Sequence, residues 1–270
     1  MQLMSSHNSS SSTSEGQVKT VARQFSQAAS RYNQIAEIQQ VIAQHALKKL
    51  RFCASGKLLD IGCGTGRHTA ELVAKGISAV GVDIAPGMID YARTQYPHIH
   101  FFVADACTLP FADGSFSQVF SSMALQWSHS PTQALAEIYR VLQPAGRAVL
   151  AIMVDGSFAE LDDARARCGL PITTNPQLSQ GCWITAAKTA GFTQVHSRQQ
   201  AFTDHFDHIL PLLRSIKSVG AGALTHKVNG NKSLSRQDLA ALNGNYHRIS
   251  FKDEEVLPLT YQVLQLRLEK

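Results

Sequence analysis

Hydrophobic and polar positions follow two different periods along the chain, and the change between them predicts the order of its helices and strands. Residues 18–50 contain no glycine or proline and repeat apolar positions with a helical period, which predicts one broken helix or two successive helices. From residue 57 onward, short apolar runs alternate with amphipathic stretches of about 10–15 residues, a pattern typical of βαβ units. These units favour parallel strands joined by helices.

Seven strands are predicted from the apolar and alternating runs. They cover residues 57–62, 78–84, 99–106, 116–122, 146–154, 193–204 and 258–270. The first five are nearly continuous apolar runs, as expected for strands that are buried on both faces of a sheet. The predicted fold class is therefore α/β, a Rossmann-like doubly wound sheet with N-terminal helices and helical lid insertions. Further helices are predicted at 179–192, 208–221 and 235–246.

The same patterns divide the chain into four predicted segments. Residues 1–17 are rich in serine and are predicted to be a disordered tail, and residues 18–52 form an N-terminal helical cap. Residues 53–154 form the ligand-binding Rossmann-like core. Residues 155–270 complete the sheet and contribute helical lid and acceptor-binding insertions.

Composition narrows the class of protein. Of the 270 residues, 44% are apolar, which supports a sizeable core, yet no apolar run approaches the ~18 residues that a membrane span requires. The first residues lack the features of a signal peptide, and the five scattered cysteines include no C-x-x-C pair. We therefore expect a cytoplasmic protein without disulfides, structural zinc or a membrane anchor. The formal charge of +5 is dispersed, which does not indicate a nucleic-acid footprint.

A glycine-rich turn follows the first predicted strand in the stretch "LLDIGCGTGRHTAEL". Gly62, Gly64 and Gly66 can adopt positive φ values and allow a ligand to approach the backbone closely. Their spacing is G-x-G-x-G, which differs from the dinucleotide fingerprint and from the phosphate-binding P-loop. The turn alone indicates a ligand crevice without identifying the ligand.

Three acids stand at the ends of the first three predicted strands. Asp60 precedes the turn, Asp83 follows about 20 residues later, and Asp105 ends the third strand. Because the carboxyl ends of parallel strands meet at one edge of a sheet, these carboxylates are expected to surround one ligand. Asp83 is suited to accept hydrogen bonds from two ribose hydroxyls, and Asp105 from the amino group of an adenine.

The order of "DIGCGTG", Asp83 and "ADACTLPF" resembles the class I S-adenosylmethionine-dependent methyltransferases over about residues 55–155. The resemblance implies S-adenosylmethionine as methyl donor and no metal. In that family Asp60 orients the glycine turn, and Asp83 holds the ribose. Ile84 and Met88 pack near the adenine, and Asp105 with the Ala106 backbone reads its amino group.

The flanks resemble a narrower family, the malonyl-[acyl-carrier protein] O-methyltransferases of biotin synthesis. The stretches that carry this resemblance are "VARQFSQAASRYNQIAEIQ", "LLRSIKSVGAGALTH", "LSRQDL" and "LPLTYQVL". Asn33 is a departure, since the family more often has a Tyr-Asp pair there. The resemblance implies methyl transfer to the free carboxylate of a malonyl thioester, on acyl carrier protein or coenzyme A.

The acceptor carboxylate is ionised at neutral pH, so the expected task of the protein is positioning. Because the carboxylate is negatively charged, a cation is suited to hold it, and no general base is needed. Arg214 is the first candidate for this cation and Lys217 is the second. The family resemblance implies that Tyr32 closes over the cofactor. Trp127, after the fourth strand, is expected to line one side of the acceptor pocket. An acidic carrier would meet basic residues of the second half, and these are Arg214, Lys217, Lys227, Lys232 and Arg236.

Three other functions remain open from the sequence. The first is methyl transfer to a quinone precursor or another small acceptor, which would need an apolar pocket without a required cation. The second, an NAD-dependent oxidoreductase, is disfavoured by the glycine spacing. The third is a cofactor-binding module without catalysis. A monomer that binds neither nucleic acid nor membrane is expected.

Overall fold

The N-terminal region consists of two consecutive helices. In the computed structural model, which describes residues 9–50, 56–218 and 234–270, helix α1 spans Ser9–Ile35 and α2 spans Glu37–Leu47. The break falls at Ala36, whose φ and ψ of −97° and 45° are not helical. Residues 9–17 of the predicted disordered tail therefore belong to α1, because extending an existing helix costs much less than starting one. Residues 1–8 of that tail lie outside the described residues.

Strands and helices then alternate along the chain. The first half contains β1 (Lys57–Ile61), α3 (Arg67–Ala74), β2 (Ser78–Asp83), α4 (Pro86–Gln95), β3 (His100–Val103), β4 (Phe116–Ser122), a 3-10 turn (Leu125–Trp127), α5 (Pro131–Val141) and β5 (Leu142–Met153). The second half contains α6 (Ala159–Arg167), α7 (Gln180–Ala190), β6 (Gln194–Phe206), α8 (Ile209–Ser218), α9 (Arg236–Asn245), β7 (Ile249–Phe251) and β8 (Glu254–Glu269).

In the described part of the chain, eight strands form one sheet. Seven of them follow the order β3-β2-β1-β4-β5-β8-β6, and β7 pairs with β8 outside this order. Strands β1 to β5 are parallel, whereas β8 runs antiparallel between β5 and β6. The strand order reverses between β1 and β4, which is the position where open α/β sheets bind ligands. The predicted Rossmann-like α/β class is confirmed, and the sheet has one strand more than the seven predicted, because β7 pairs with β8.

Both faces of the sheet are covered by helices. Adjacent residues of β1 show this arrangement: Leu59 packs into the cluster that contains residues of α5 and α7, and Leu58 packs into the opposite cluster with residues of α2. Both leucines are fully buried. This two-sided burial explains why the central strands have continuous apolar sequences and do not alternate.

Two short segments were not predicted from the sequence. Helix α6, "AELDDARAR", buries Leu161 and Ala164 but has too many charged residues to show an apolar stripe. Strand β7 forms a hairpin with β8 around Lys252 and Asp253, whose φ values are 52° and 68°. A two-residue turn of this kind usually contains Asn-Gly or Asp-Gly, so Lys-Asp gave no hairpin signal. Among the described residues, no helix has the length and apolar character needed to cross a bilayer.

Two glycines with similar φ values but different surroundings allow a test of the fold. Gly66 (φ 77°) lies against Phe101, and a Cβ there would come within 2.6 Å of that ring, whereas a Cβ on Gly76 (φ 83°) would meet nothing within 4 Å. We expect Gly76→Ala to lower the free energy of unfolding by about 1 kcal/mol through backbone strain. Gly66→Ala should cost about 2 kcal/mol more because it also overpacks the core.

Urea unfolding monitored by circular dichroism would measure both variants. Equal losses of stability for the two substitutions would contradict the close packing of the glycine turn against β3.

Candidate active site

A pocket lies at the carboxyl ends of β1 to β4 and is covered by α1. Its volume is about 780 Å³, including the part that is open to solvent. The residues that line it come from four strand ends, from the 3-10 turn and from α1, and they are Val21, Phe25, Tyr32, Ile61, Gly62, Gly64, Asp83, Ile84, Met88, Ala104, Asp105, Ala106, Ser122, Met123, Ala124, Leu125, Trp127 and Ser128. Pockets of this size accommodate molecules as large as a nucleoside with an extended side chain.

The three glycines of the turn have different roles. Gly64 (φ 54°) has open space where a Cβ would stand, so its backbone is free to approach a ligand. Gly62 also lines the pocket, but a Cβ there would overlap the side chain of Ala124. Gly66 lines neither this pocket nor its neighbour, and its missing side chain makes room for Phe101. The structure therefore brings Gly62 and Gly64 to the pocket and leaves Gly66 in the packing beneath it.

Asp83 joins the ends of β1 and β2. Its Oδ2 accepts a hydrogen bond from the backbone N–H of Gly64 at 2.9 Å, and its Oδ1 accepts one from Ala85 at 2.9 Å. Burial raises the pKa of Asp83, and the backbone donors of Ala85 and Gly64 oppose this rise. Each carboxylate oxygen keeps further acceptor capacity towards the pocket that it lines.

Asp60 lies below the turn and is 2% exposed. The hydroxyl of Thr69 donates to its Oδ2 at 2.7 Å. Burial, and then the charge of Asp83, raise the pKa of Asp60 to about 7, although the Thr69 hydrogen bond lowers it. Asp60 can therefore exchange a proton near neutral pH.

Asp105 also lines the first pocket. Its Oδ1 accepts from the Cys107 N–H at 2.8 Å, and its Oδ2 lies 3.8 Å from His129 Nδ1. Ligand atoms of the Asp105, Cys107 and His129 side chains lie within 4.8 Å of one another, a spacing that one metal ion could bridge. Burial and the charge of Asp105 raise the pKa of Cys107 to about 11, so a metal ion would have to displace the thiol proton to bind the sulfur. That the protein needs no metal stays a prediction.

Helix α1 forms the cover of the pocket. The ring of Phe25 contacts Tyr32 and Trp127, with centroids 6.3 Å and 6.0 Å apart, so three aromatic side chains enclose one side of the pocket. The helix is attached to the core at its other side, where the N–H of Gly87 donates to Ser26 Oγ at 3.1 Å. The Trp127 side chain is supplied by the 3-10 turn after β4.

Asn33, the departure from the usual Tyr-Asp pair, has a defined contact in this structure. Its Oδ1 accepts a hydrogen bond from the Thr65 hydroxyl at 2.7 Å, which connects α1 to the glycine turn. An aspartate could accept the same hydrogen bond, so the substitution preserves the connection.

A second pocket of about 530 Å³ adjoins the first on the side of Asp60. The two pockets share Tyr32, Gly62, Gly64, Ser122 and Met123. Among the described residues, Ser122 Oγ and Gln39 Oε1 line this second pocket, are buried, and have no hydrogen-bond partner. Buried polar atoms without partners are rare in folded proteins, and here they indicate a polar ligand.

Sequence reasoning missed Gln39, Ser122 and Phe25 as site residues. Gln39 ends the first flanking stretch of the family resemblance and Ser122 ends the fourth strand, so their positions offered a signal. Nothing in the sequence indicated that their polar atoms would lack partners, because that depends on the packing of α2 and β4 against each other.

Arg214 and Lys217 lie on α8, and both side chains are exposed. Neither lines the two pockets described above. Helix α8 instead packs against α1, the helix that covers the first pocket. Of the other basic residues expected to meet a carrier, Arg236 is exposed at the start of α9, and Lys227 and Lys232 lie outside the described residues.

Comparison with known proteins identifies the family. A family model described as a methyltransferase domain matches residues 59–150. A malonyl-[acyl-carrier protein] O-methyltransferase from Erwinia pyrifoliae is 31% identical over 257 residues, and the alignment covers 93% of each chain. This chain belongs to the malonyl-[acyl-carrier protein] O-methyltransferase family.

A second relative is a longer protein than this chain. The biotin biosynthesis bifunctional protein BioHC of Cellvibrio japonicus is 32% identical over 93% of this chain, and the chain spans about half the length of that relative. Among solved structures, the YcgJ protein of Bacillus subtilis has a TM-score of 0.58 at 18% identity, with 87% of this chain and 98% of that chain covered. That structural similarity supports the class I methyltransferase fold.

Substitution of Asp83 would test its place in the site. In Asp83→Asn, only one of the two side-chain atoms can accept, so one of the N–H groups of Gly64 and Ala85 loses its partner and a ligand loses an acceptor. We expect the affinity for S-adenosylhomocysteine, measured by calorimetry, to fall by at least about tenfold. Asp90→Asn is the matched control, because Asp90 is 75% exposed on α4 and should leave the affinity unchanged. Unchanged binding by Asp83→Asn would show that Asp83 does not contribute to ligand binding.

The raised pKa of Asp60 predicts a dependence of stability on pH. The carboxyl group has a pKa of about 7 when folded, above the ~3.9 of an unfolded aspartate, so between these values the folded state holds a proton that the unfolded state has released. The contribution of Asp60 to stability must then fall as the pH rises from about 4 to 7, by an amount on the order of 3 kcal/mol. Asp60→Asn should lack this contribution.

Urea unfolding at pH 4.5 and pH 7.5 would compare the two proteins. A difference in unfolding free energy that stays constant across this range would contradict the raised pKa.

Proposed function

We propose that this protein transfers a methyl group from S-adenosylmethionine to the free carboxylate of a malonyl thioester on acyl carrier protein, forming the methyl ester. The main supporting observation is the pair of adjoining pockets at the carboxyl ends of β1 to β4 in a chain of this family. Asp83 and Asp105 line the first pocket, Asp60 lines the second, and the open Gly64 lines both. The names of the relatives favour a malonyl acceptor over the quinone precursor that the sequence left open.

The residues of the two pockets suit the parts of the methyl donor. Asp105 and the Ala106 backbone are assigned to the adenine amino group, with Ile84 and Met88 beside the ring. Asp83 is assigned to the ribose, and Gly62 and Gly64 to the amino-acid part. The unpartnered Ser122 Oγ and Gln39 Oε1 support this assignment, because the second pocket then receives a polar group. When bound, S-adenosylmethionine supplies an electrophilic methyl group.

The chemistry requires positioning more than proton transfer. A malonyl carboxylate is already ionised at neutral pH, so the acceptor oxygen needs no general base. The protein must hold this oxygen in line and keep water away from it. Phe25, Tyr32 and Trp127 suit this task, because their rings form one continuous aromatic wall.

Tyr32 also contributes a hydroxyl group. Burial and the charge of Asp83 raise the pKa of Tyr32 well above its ordinary value, so the hydroxyl remains protonated throughout the neutral range. It can therefore donate a hydrogen bond and cannot act as a base. The roles of Arg214 and Lys217 in holding the malonyl carboxylate stay predictions, since both side chains are exposed on α8.

A methyl-transfer assay would test the proposed function. Purified protein is mixed with S-adenosylmethionine and malonyl-acyl carrier protein, and mass spectrometry measures the acyl group. We expect a gain of one methyl group on the malonyl thioester and none on the acetyl thioester, which has no free carboxylate; a succinyl thioester reports how strictly the length of the acyl group is selected.

Transfer to a quinone precursor but not to the malonyl thioester would replace this function with the small-acceptor alternative. Failure to bind S-adenosylhomocysteine would refute the assignment of the pocket itself.

A further inference from the structure

Helix α1 has two different sides. One side lines the pocket through Val21, Phe25 and Tyr32. The other side is exposed and carries Lys19, Arg23, Gln27 and Arg31, which follow one another every four residues. Residues four apart are neighbours on a helix surface, so the three cations lie along one side of the helix. No acid occurs between residues 19 and 35.

Helix α8 also has one buried face and one exposed face. Ile209 and Leu212 are buried, whereas Leu210, Arg214 and Lys217 are exposed at the spacing of one helix face. Leu210 is 42% exposed and stands on the same face as the two cations. An apolar side chain beside positive charges is typical of surfaces that receive an amphipathic acidic partner.

The two exposed faces belong to neighbouring helices, since α1 packs against α8. We call Lys19, Arg23 and Arg31 together with Arg214 and Lys217 the basic helix pair. Within the part of the chain that the structure describes, none of these five side chains forms an ion pair with an acid. By contrast, Arg67, Arg140, Arg147 and Arg167 are paired with carboxylates elsewhere on the surface. The basic helix pair is therefore available to a partner.

We propose that the basic helix pair is the docking surface for the acidic carrier protein that delivers the malonyl thioester. This inference rests on the function proposed above. Its physical basis is that α1 both covers the pocket and presents the cations, so a carrier bound there stands next to the pocket that its acyl group must enter. Complementary charge of this kind mainly accelerates association and orients the partner.

The proposal gives Arg214 and Lys217 an external role that agrees with their exposure. It also adds Lys19, Arg23 and Arg31 of the N-terminal helix, which the sequence did not associate with the carrier. Basic surfaces can also attract nucleic acid or anionic lipid. The apolar Leu210 among the cations and the pocket below α1 favour a protein that carries an acyl group.

The first experiment separates docking from chemistry. Methyl transfer by the double variant Arg23→Glu/Arg31→Glu is measured with malonyl-acyl carrier protein and with malonyl-pantetheine, a small thioester that has no carrier and no phosphate. We expect kcat/KM for the carrier substrate to fall by at least about tenfold, mainly through KM, while kcat/KM for malonyl-pantetheine stays within about twofold. Lys188→Glu is a charge-reversal control away from the basic helix pair, because Lys188 is exposed on α7, which packs against α5.

The second experiment tests α8 without turnover. Holo-acyl carrier protein without a malonyl group is labelled, and its binding to wild type, Arg214→Glu and Lys188→Glu is followed by fluorescence anisotropy. A loss of affinity of about tenfold for Arg214→Glu alone is expected. Because this ligand has no malonyl carboxylate, a role of Arg214 in holding that carboxylate cannot contribute to the result. Thermal melting and S-adenosylhomocysteine binding confirm that each variant is folded.

Several outcomes would overturn the docking surface. They are equal losses on both thioesters in the first experiment, unchanged carrier binding in the second, or tighter binding of duplex DNA or anionic vesicles than of the carrier. Failure of the proposed function looks different, since wild-type protein would then methylate neither thioester. The binding experiment would still decide whether the carrier docks on the basic helix pair.

Discussion

The site depends on the hydrogen bond that joins two strand ends, from the Gly64 N–H to the carboxylate of Asp83 at 2.9 Å. Parallel neighbours β1 and β2 bring the two residues to the same edge of the sheet, and the positive φ of Gly64 directs its N–H to the acid. A side chain at position 64 would disfavour this backbone conformation. The same bond fixes the turn at the edge of the pocket, together with the bonds that the N–H groups of Gly62 and Cys63 donate to the Val82 carbonyl.

Helix α1 converts this open edge into an enclosed site. Asn33 connects it to the glycine turn through Thr65, and Ser26 connects it to the first turn of α4. The aromatic residues Phe25 and Tyr32 then lie over the pocket. A single helix thus contacts the glycine turn, α4 and α8, and it also lines the pocket. Under the proposed function, this helix would connect the enclosure of the donor to the surface that a carrier would meet.

The pockets are lined by acidic side chains, whereas the exposed helix faces around them carry basic side chains. The two adjoining pockets are lined by the acids Asp60, Asp83 and Asp105, and burial makes Asp60 and Asp83 harder to ionise than in water. On α8 and on residues 19–35 of α1, the charged side chains that the structure describes are all exposed cations. The interior therefore suits the neutral and cationic parts of a nucleoside donor, whereas the exterior suits an acidic protein.

The sequence by itself determined the α/β class, the parallel core and the positions of Asp60, Asp83 and Asp105, because apolar runs and strand ends depend on local order along the chain. It predicted seven strands of the sheet but not β7, whose Lys-Asp turn has no standard signal. It also could not show that Gly66 packs on Phe101, a residue 35 positions later, in place of facing the ligand.

Tertiary structure alone decided which side of each helix faces the pocket. The exposed position of Arg214 follows from the burial of Leu212 on the other face of α8, since a helix directs its apolar side to the core. The unpartnered oxygens of Gln39 and Ser122 result from the meeting of segments that are distant in sequence. Such long-range contacts are not encoded in the period of any one segment, so only the folded chain specifies them.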